Sequence, residues 1–261
     1  MTDIRQAVRE KYGEIAKGES GCCAPGCCGG NDAATTRKIG EYIGYGADAL
    51  AAIPAGANLG LGCGNPLAHA AVRPGETVLD LGAGAGMDAF LAAREVGPSG
   101  TVIGVDMTPD MVERAGENAR QAAVGNVDFR LGEIERLPVA DASVDLVISN
   151  CVINLSPDKP AVFAEAFRVL KPGGRMVVSD LVLKQPISDD VRHSVEAYVG
   201  CVAGASLKHD YLAMMRDAGF ADVTVAHESA YTVGLETLPA GSAERDAFAA
   251  VVSVKVKARK P

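Results

Sequence analysis

The stretch Thr77-Val78-Leu79-Asp80-Leu81-Gly82-Ala83-Gly84-Ala85-Gly86-Met87-Asp88 decides how this chain folds. Thr77–Leu81 is short, apolar and β-branched, the composition of a buried strand. The alternate glycines Gly82, Gly84 and Gly86 make a turn with no side chains in the way, and Met87–Val96 has helical composition. A strand thus runs through a glycine turn into a helix N-terminus, where backbone N–H groups converge and a ligand can approach the main chain closely. The spacing is G-x-G-x-G, not the G-x-G-x-x-G of dinucleotide folds. Asp80, two positions before the first glycine, would also repel a pyrophosphate. The stretch therefore favours a ligand with a positive group, and S-adenosylmethionine carries two, an ammonium and a sulfonium.

Around this stretch, strands and helices alternate. Thr101–Val105 reads as a strand ending in Asp106, and Thr108 is placed to cap a helix over Pro109–Ala123 with proline at its first position. Val127–Leu131 and Val144–Ser149 read as strands. Asp158 or Lys159-Pro160 opens a helix to Leu170, and Lys171-Pro172-Gly173-Gly174 turns into a strand at Arg175–Leu183. Such alternation implies a mostly parallel, doubly wound sheet covered by helices. Upstream, residues 2–17 have helical spacing, 21–30 are a Gly/Pro/Cys loop, 35–53 make one helix or two, and Asn58–Pro66 is a second glycine-rich loop. Downstream, helical segments at 188–203 and 208–218 lead to a strand at Asp222–His227. The last strand, 249–257, sets Val252, Val254 and Val256 against Ser253, Lys255 and Lys257, a half-solvated pattern that suits an antiparallel or edge strand. The expected division is an N-terminal helical, cysteine-rich extension (1–66), a donor-binding core (67–184) and a C-terminal α+β part that completes the sheet (185–261).

Composition narrows the function. The chain has 261 residues, 48% of them hydrophobic, enough for one elaborated α/β domain. A net charge of −8 leaves no basic footprint, so no nucleic-acid partner is expected. No apolar run reaches the ~20 residues of a membrane helix, and the polar N-terminus is not a signal peptide. The expectation is a cytoplasmic protein without a membrane partner, in which seven cysteines need a purpose other than structural disulfides.

The donor site draws on several strand ends. Asp106 stands where a carboxylate can accept hydrogen bonds from ribose hydroxyls or serve as a turn or helix-capping aspartate, and Ile134, within Gly132-Glu133-Ile134-Glu135, offers a face for an adenine. Ser149-Asn150-Cys151-Val152-Ile153-Asn154 ends a strand at the carboxyl edge of the sheet. From Thr77 to Leu183 the pattern resembles the class I S-adenosylmethionine-dependent methyltransferases, which have a Rossmann-like α/β fold. That resemblance implies Gly82, Gly84 and Gly86 against the methionine part of the donor, Asp106 on the ribose, and Ile134 with Glu135 at the adenine. The candidate donor-binding set is Asp80, Gly82, Gly84, Gly86, Asp106, Met107, Ile134, Glu135 and Asn150.

The cysteines bear on the acceptor. Cys201, among alanine and valine, also suits a small core residue. Cys63 in a glycine loop and the pairs Cys22/Cys23 and Cys27/Cys28 do not. The pairs lack C-x-x-C zinc spacing and no histidine is near them. A soft, thiophilic substrate is the other option, and trivalent arsenic takes three thiolates in a pyramid with its lone pair on the open face. The segments Asn58–Pro66, Ser149–Leu155 and Tyr198–Ala205 are similar to the three cysteine motifs of the arsenite methyltransferases. The resemblance implies that Cys63, Cys151 and Cys201 bind As(III) and that Cys22 or Cys23 takes part in thiol–disulfide exchange. It leaves Cys27/Cys28 without a role. It further implies arsenite or its thiol conjugates as substrate and thioredoxin or glutathione as reductant. Two other readings stay open: methylation of another small molecule with incidental cysteines, and a thiol-based metalloid sensor or carrier. His69, His193, His209 and His227 lie outside the motifs, so no general base is expected.

Overall fold

The computed structural model describes residues 4–19, 33–192, 194–232, 241 and 243–261. Its centre is a seven-stranded sheet in the order β3-β2-β1-β4-β5-β7-β6. The strands are β1 (Thr77–Leu81), β2 (Thr101–Asp106), β3 (Val127–Leu131), β4 (Val144–Asn150), β5 (Leu170–Leu183), β6 (Ala221–Ala230) and β7 (Val251–Arg259). The first five pair in parallel, and β7 joins β5 and β6 antiparallel. Both faces are covered, which is why successive residues of β1 and β4 are apolar rather than alternating. Leu79, Leu81 and Val147 pack on one side with Phe163 of helix α7 (Lys159–Val169) and Tyr211 of α10 (Lys208–Asp217). Val78, Leu146 and Ile148 pack on the other with Phe90 of α5 (Met87–Val96). The order of strands reverses between β1 and β4, the switch point at whose carboxyl edge open α/β sheets hold their ligands.

Residues 35–53, read as one helix or two, form two, α2 (Ala33–Tyr42) and α3 (Ala47–Ala51), separated by a turn, and the short α4 (Leu67–Ala70) precedes β1. Several other expectations change. The segment 188–203 yields only short helices, α8 (Asp189–Arg192) and α9 (Val195–Val199), ahead of a turn that carries Cys201. Strand β5 begins at Leu170 rather than Arg175, its first residue pairing with Val144 across a register irregularity. Thr108 is the N-cap of α6 (Pro109–Gln121) by backbone position but makes no side-chain cap bond, because its hydroxyl turns to Asp106. The last strand is antiparallel, as its pattern indicates, but not an edge: β7 lies between β5 and β6, and Ser253 and Lys255 are buried. A further helix, α11 (Ala243–Ala250), leads into it. The cysteine loop at 21–30, with Cys22, Cys23, Cys27 and Cys28, and also His193, lie outside the described residues. Among the described residues, no helix is long and apolar enough to cross a membrane.

Candidate active site

The glycine turn after β1 does what its sequence requires. Gly82 and Gly84 have φ of +65° and +53°, a region costly for other L-residues, and a side chain on Gly82 would run into Val152. Asp106, at the end of β2, accepts from the Gly84 N–H and the Thr108 N–H, both at 2.9 Å, so it shapes the turn as well as facing the cleft. The turn opens onto a cavity of about 880 Å³ lined by Asp80, Gly82, Gly84, Asp88, Asp106, Met107, Ile134, Glu135 and Asn150. Gly86 is not in that lining. It is the N-cap of α5, with φ +99°, and a Cβ there would press on Phe90 and Phe129, so its absence serves packing.

Helix α1 (Ile4–Lys17) forms one wall of the cavity through Arg5, Val8, Lys11 and Tyr12. Arg5 pairs with Glu135 at 3.1 Å and Arg9 with Glu133 at 2.9 Å. Val8 is buried in the same cluster as Cys63 and Cys201. Glu135 also accepts from the Ser156 hydroxyl at 2.6 Å.

The electrostatics of the cleft favour a cation. Asp80, Asp88 and Asp106 crowd together, and burial is the main cause that raises all three carboxyls, Asp88 to about 6. Asp80 is raised well above its ordinary value, its neighbours Asp88 and Asp106 adding to the effect of burial. Its Oδ2 is buried with no hydrogen-bond partner among the described residues. A carboxylate in that setting is costly unless a positive group joins it. The ammonium and sulfonium of S-adenosylmethionine meet that need, and the residues present fit that group.

Beside the cavity three free cysteines converge from three distant segments. Cys63 comes from the second glycine loop, Cys151 from the end of β4 and Cys201 from the turn after α9. The Cys63 and Cys151 sulfurs and a carboxylate oxygen of Asp180 lie within 4.8 Å of one another. The Cys201 thiol donates to the Cys151 carbonyl at 3.0 Å. Cys151 and Cys201 line the cavity, whereas Cys63 sits behind Gly62, 3% exposed, with its thiol 3.6 Å from the Ser179 carbonyl. The Cys201 and Cys63 thiols beside it, then burial, push the Cys151 thiol well above the ordinary value; burial pushes Cys63 up as well. Cys151 and Cys201 have φ of +60° and +64°, conformations that cost a side-chain-bearing residue roughly 1–2 kcal/mol each and gather at functional sites.

Two residues of this site escape sequence reasoning. Asp180 is fully buried in β5 and is held by the Leu181 N–H and the Asn154 amide, each at 2.9 Å, and by the Tyr211 hydroxyl at 3.0 Å. Burial raises it to about 7. An aspartate in the middle of an apolar strand, Val177-Val178-Ser179-Asp180-Leu181-Val182, was the available signal. Tyr45 is 3% exposed and donates to Asp88 at 2.6 Å, and nothing local in its sequence marks it. The three histidines among the described residues do not line the cavity: His69 and His227 stack on each other, and His209 is exposed beside Asp210.

Known proteins agree with this architecture. Residues 73–219 match the methyltransferase domain family. Over 99% of its length the chain is 50% identical to the arsenite methyltransferase of Halobacterium salinarum, spanning 67% of that protein. It is 32% identical to the human arsenite methyltransferase, over 84% of this chain and 58% of the human one. The crystal structure of an arsenic(III) S-adenosylmethionine methyltransferase from Chlamydomonas reinhardtii matches with a TM-score of 0.64 at 36% identity, over 86% of this chain and 73% of that one. With a class I methyltransferase sheet, a donor cleft at its switch point and this degree of identity along nearly its whole length, the chain belongs to the arsenite methyltransferases.

Proposed function

We infer that this chain methylates As(III) held by Cys63, Cys151 and Cys201, with S-adenosylmethionine as methyl donor. The observation that carries this reading is the convergence of three thiols beside the cavity onto which the glycine turn opens. Bound there, the donor supplies a methyl group already activated by its sulfonium. The chain's own work is positional. Condensation of arsenous acid with three thiols releases three waters, each thiol proton leaving with a hydroxide, so Cys63 and Cys151, whose thiols are pushed up, serve without prior ionisation. Three sulfurs in a pyramid leave the arsenic lone pair on the open side, toward the cavity. Catalysis then comes from in-line orientation, and no proton has to be removed by a base. That agrees with a cleft free of histidine among the described residues.

Transfer to the lone pair takes arsenic formally from As(III) to As(V). Two thiols joining in a disulfide supply the two electrons that return it, and Cys22 or Cys23 takes part in that exchange, with thioredoxin or glutathione resetting the pair. On this reading residues 1–66 and 185–261 bring substrate-facing segments to a donor-binding core at 67–184. The test is one incubation of the full chain with arsenite, S-adenosylmethionine and a thiol reductant, with arsenic species separated over time. Methylated arsenic is expected from the parent and at least a hundredfold less from Cys151→Ser or Cys201→Ser. Variants as fast as the parent would overturn the assignment of these thiols.

A further inference from the structure

The donor cleft and the Cys63 loop share one side chain, Asn150. Its Oδ1 accepts from the Cys63 N–H at 3.1 Å. Its Nδ2 lies 2.8 Å from the Gly64 carbonyl, 2.9 Å from the Tyr45 hydroxyl oxygen and 3.1 Å from Asp88 Oδ2. One carboxamide thus grips the backbone on both sides of Cys63 while touching the acid that lines the donor cleft, and the next residue along the chain is Cys151. The fit is close: a Cβ on Gly62 would stand 2.9–3.1 Å from the Asn150 carboxamide. Tyr45, buried, completes the group by donating to the other oxygen of Asp88 at 2.6 Å.

The hydrogen count of this group does not balance. An amide nitrogen has two hydrogens, and here three acceptors compete for them: the Gly64 carbonyl, the Tyr45 oxygen and Asp88 Oδ2. Beside them Asp80 Oδ2 has no partner, so the acids of the cleft as a whole want a cation. A positive group placed against Asp88 takes over that oxygen, and both amide hydrogens then go to Gly64 and Tyr45. The Cys63 loop is thereby held on both flanks.

We propose that Tyr45, Asp88 and Asn150 are positioning residues that couple the two subsites, so that occupancy of the donor cleft fixes Cys63 for arsenic and arsenic on Cys63 tightens the donor cleft. The inference rests on the methyl-donor and thiol-site reading above. Coupling between sites is reciprocal, and typical couplings are about 5- to 150-fold in affinity. It can therefore be read from either ligand.

The experiment measures binding of S-adenosylhomocysteine to the full chain by calorimetry, with and without arsenite, under a phosphine reductant. In the parent, arsenite is expected to tighten S-adenosylhomocysteine binding about fivefold or more. Cys63→Ser removes a thiol of the proposed trio and should bring the ratio to about 1. Tyr45→Phe keeps the buried ring and removes the hydroxyl, and Asn150→Ala removes the shared amide; in both, each ligand still binds and the ratio falls to about 1. A residue that merely supports the fold would weaken binding in both conditions and leave the ratio at its parental value. That result, or a ratio of 1 in the parent with both ligands bound, overturns the coupling. Failure of the parent to bind either ligand overturns instead the reading on which it rests.

Discussion

Cys151 and Cys201 occupy backbone conformations that side chains avoid, and the strain is informative because chemistry offers an easy way out of it. Glycine adopts φ near +60° at no steric cost, whereas a Cβ there costs roughly 1–2 kcal/mol. Cys201→Gly is therefore expected to be at least as stable toward urea as Cys201→Ala, although it buries one methyl fewer, worth about 0.8 kcal/mol. Cys201→Ala clearly the more stable would mean that the left-handed turn relaxes in solution. Asp180 makes a second point at this scale. Its carboxyl is raised by burial to about 7, against about 3.9 in an unfolded chain. Between those values the folded state holds a proton that the unfolded state has lost, so this group's contribution to stability declines as pH rises from about 4 to about 7. The parent should lose more stability than Asp180→Asn between pH 5 and pH 7, as measured by chemical denaturation at each pH. Equal slopes would show that Asp180 stays charged throughout.

At the scale of elements, the glycine turn and the strand before it were legible because their determinants are local. Thr77–Leu81 needs only apolar composition to be a buried strand, and Gly82 and Gly84 need only φ above zero to be glycine. Gly82→Ala is accordingly expected to weaken S-adenosylhomocysteine binding at least tenfold, about 1.4 kcal/mol, because the new methyl meets both an unfavourable φ and Val152. Calorimetry reads this directly, and affinity within twofold of the parent would sink the turn as a donor cradle. Gly86 was legible as glycine but not for its reason, since Phe129, which it makes room for, arrives from another strand. Strand β7 misleads for a related cause. Alternation of valine with serine and lysine looks the same whether the polar face meets water or a buried polar neighbour. Here Lys257 meets water but the other two do not: the Ser253 hydroxyl donates to the Cys63 carbonyl at 2.7 Å, and the Lys255 ammonium donates to Ser253 at 3.0 Å.

Across the whole molecule, what could be read from the chain was the sheet's parallel half and its ligand edge, because each βαβ unit is written within some thirty residues. What could not be read were the long-range pairings. Tyr45 meets Asp88, and Asp180 meets Asn154, only after the sheet has closed. The three cysteine motifs were recognisable as a set by family likeness, not by any spacing that brings residues 63, 151 and 201 together. The sheet order also makes a prediction about integrity. Because β7 is interior, a chain ending at Ala230 leaves β6 with no partner and bares the edge of β5. Such a chain is expected to lack a cooperative thermal transition by circular dichroism and to methylate no arsenic, and a cooperative melt near that of the parent would contradict the assigned topology.

The interior position of β7 has a consequence for the chain's history. The Ser253 hydroxyl that secures the Cys63 carbonyl belongs to a residue 190 positions later in the chain. During synthesis Cys63 precedes that strand by most of the chain, so its loop waits through most of translation for the hydroxyl that secures it. The Cys63 side of the thiol site is therefore finished last, when β7 pairs with β5 and brings Ser253 to it.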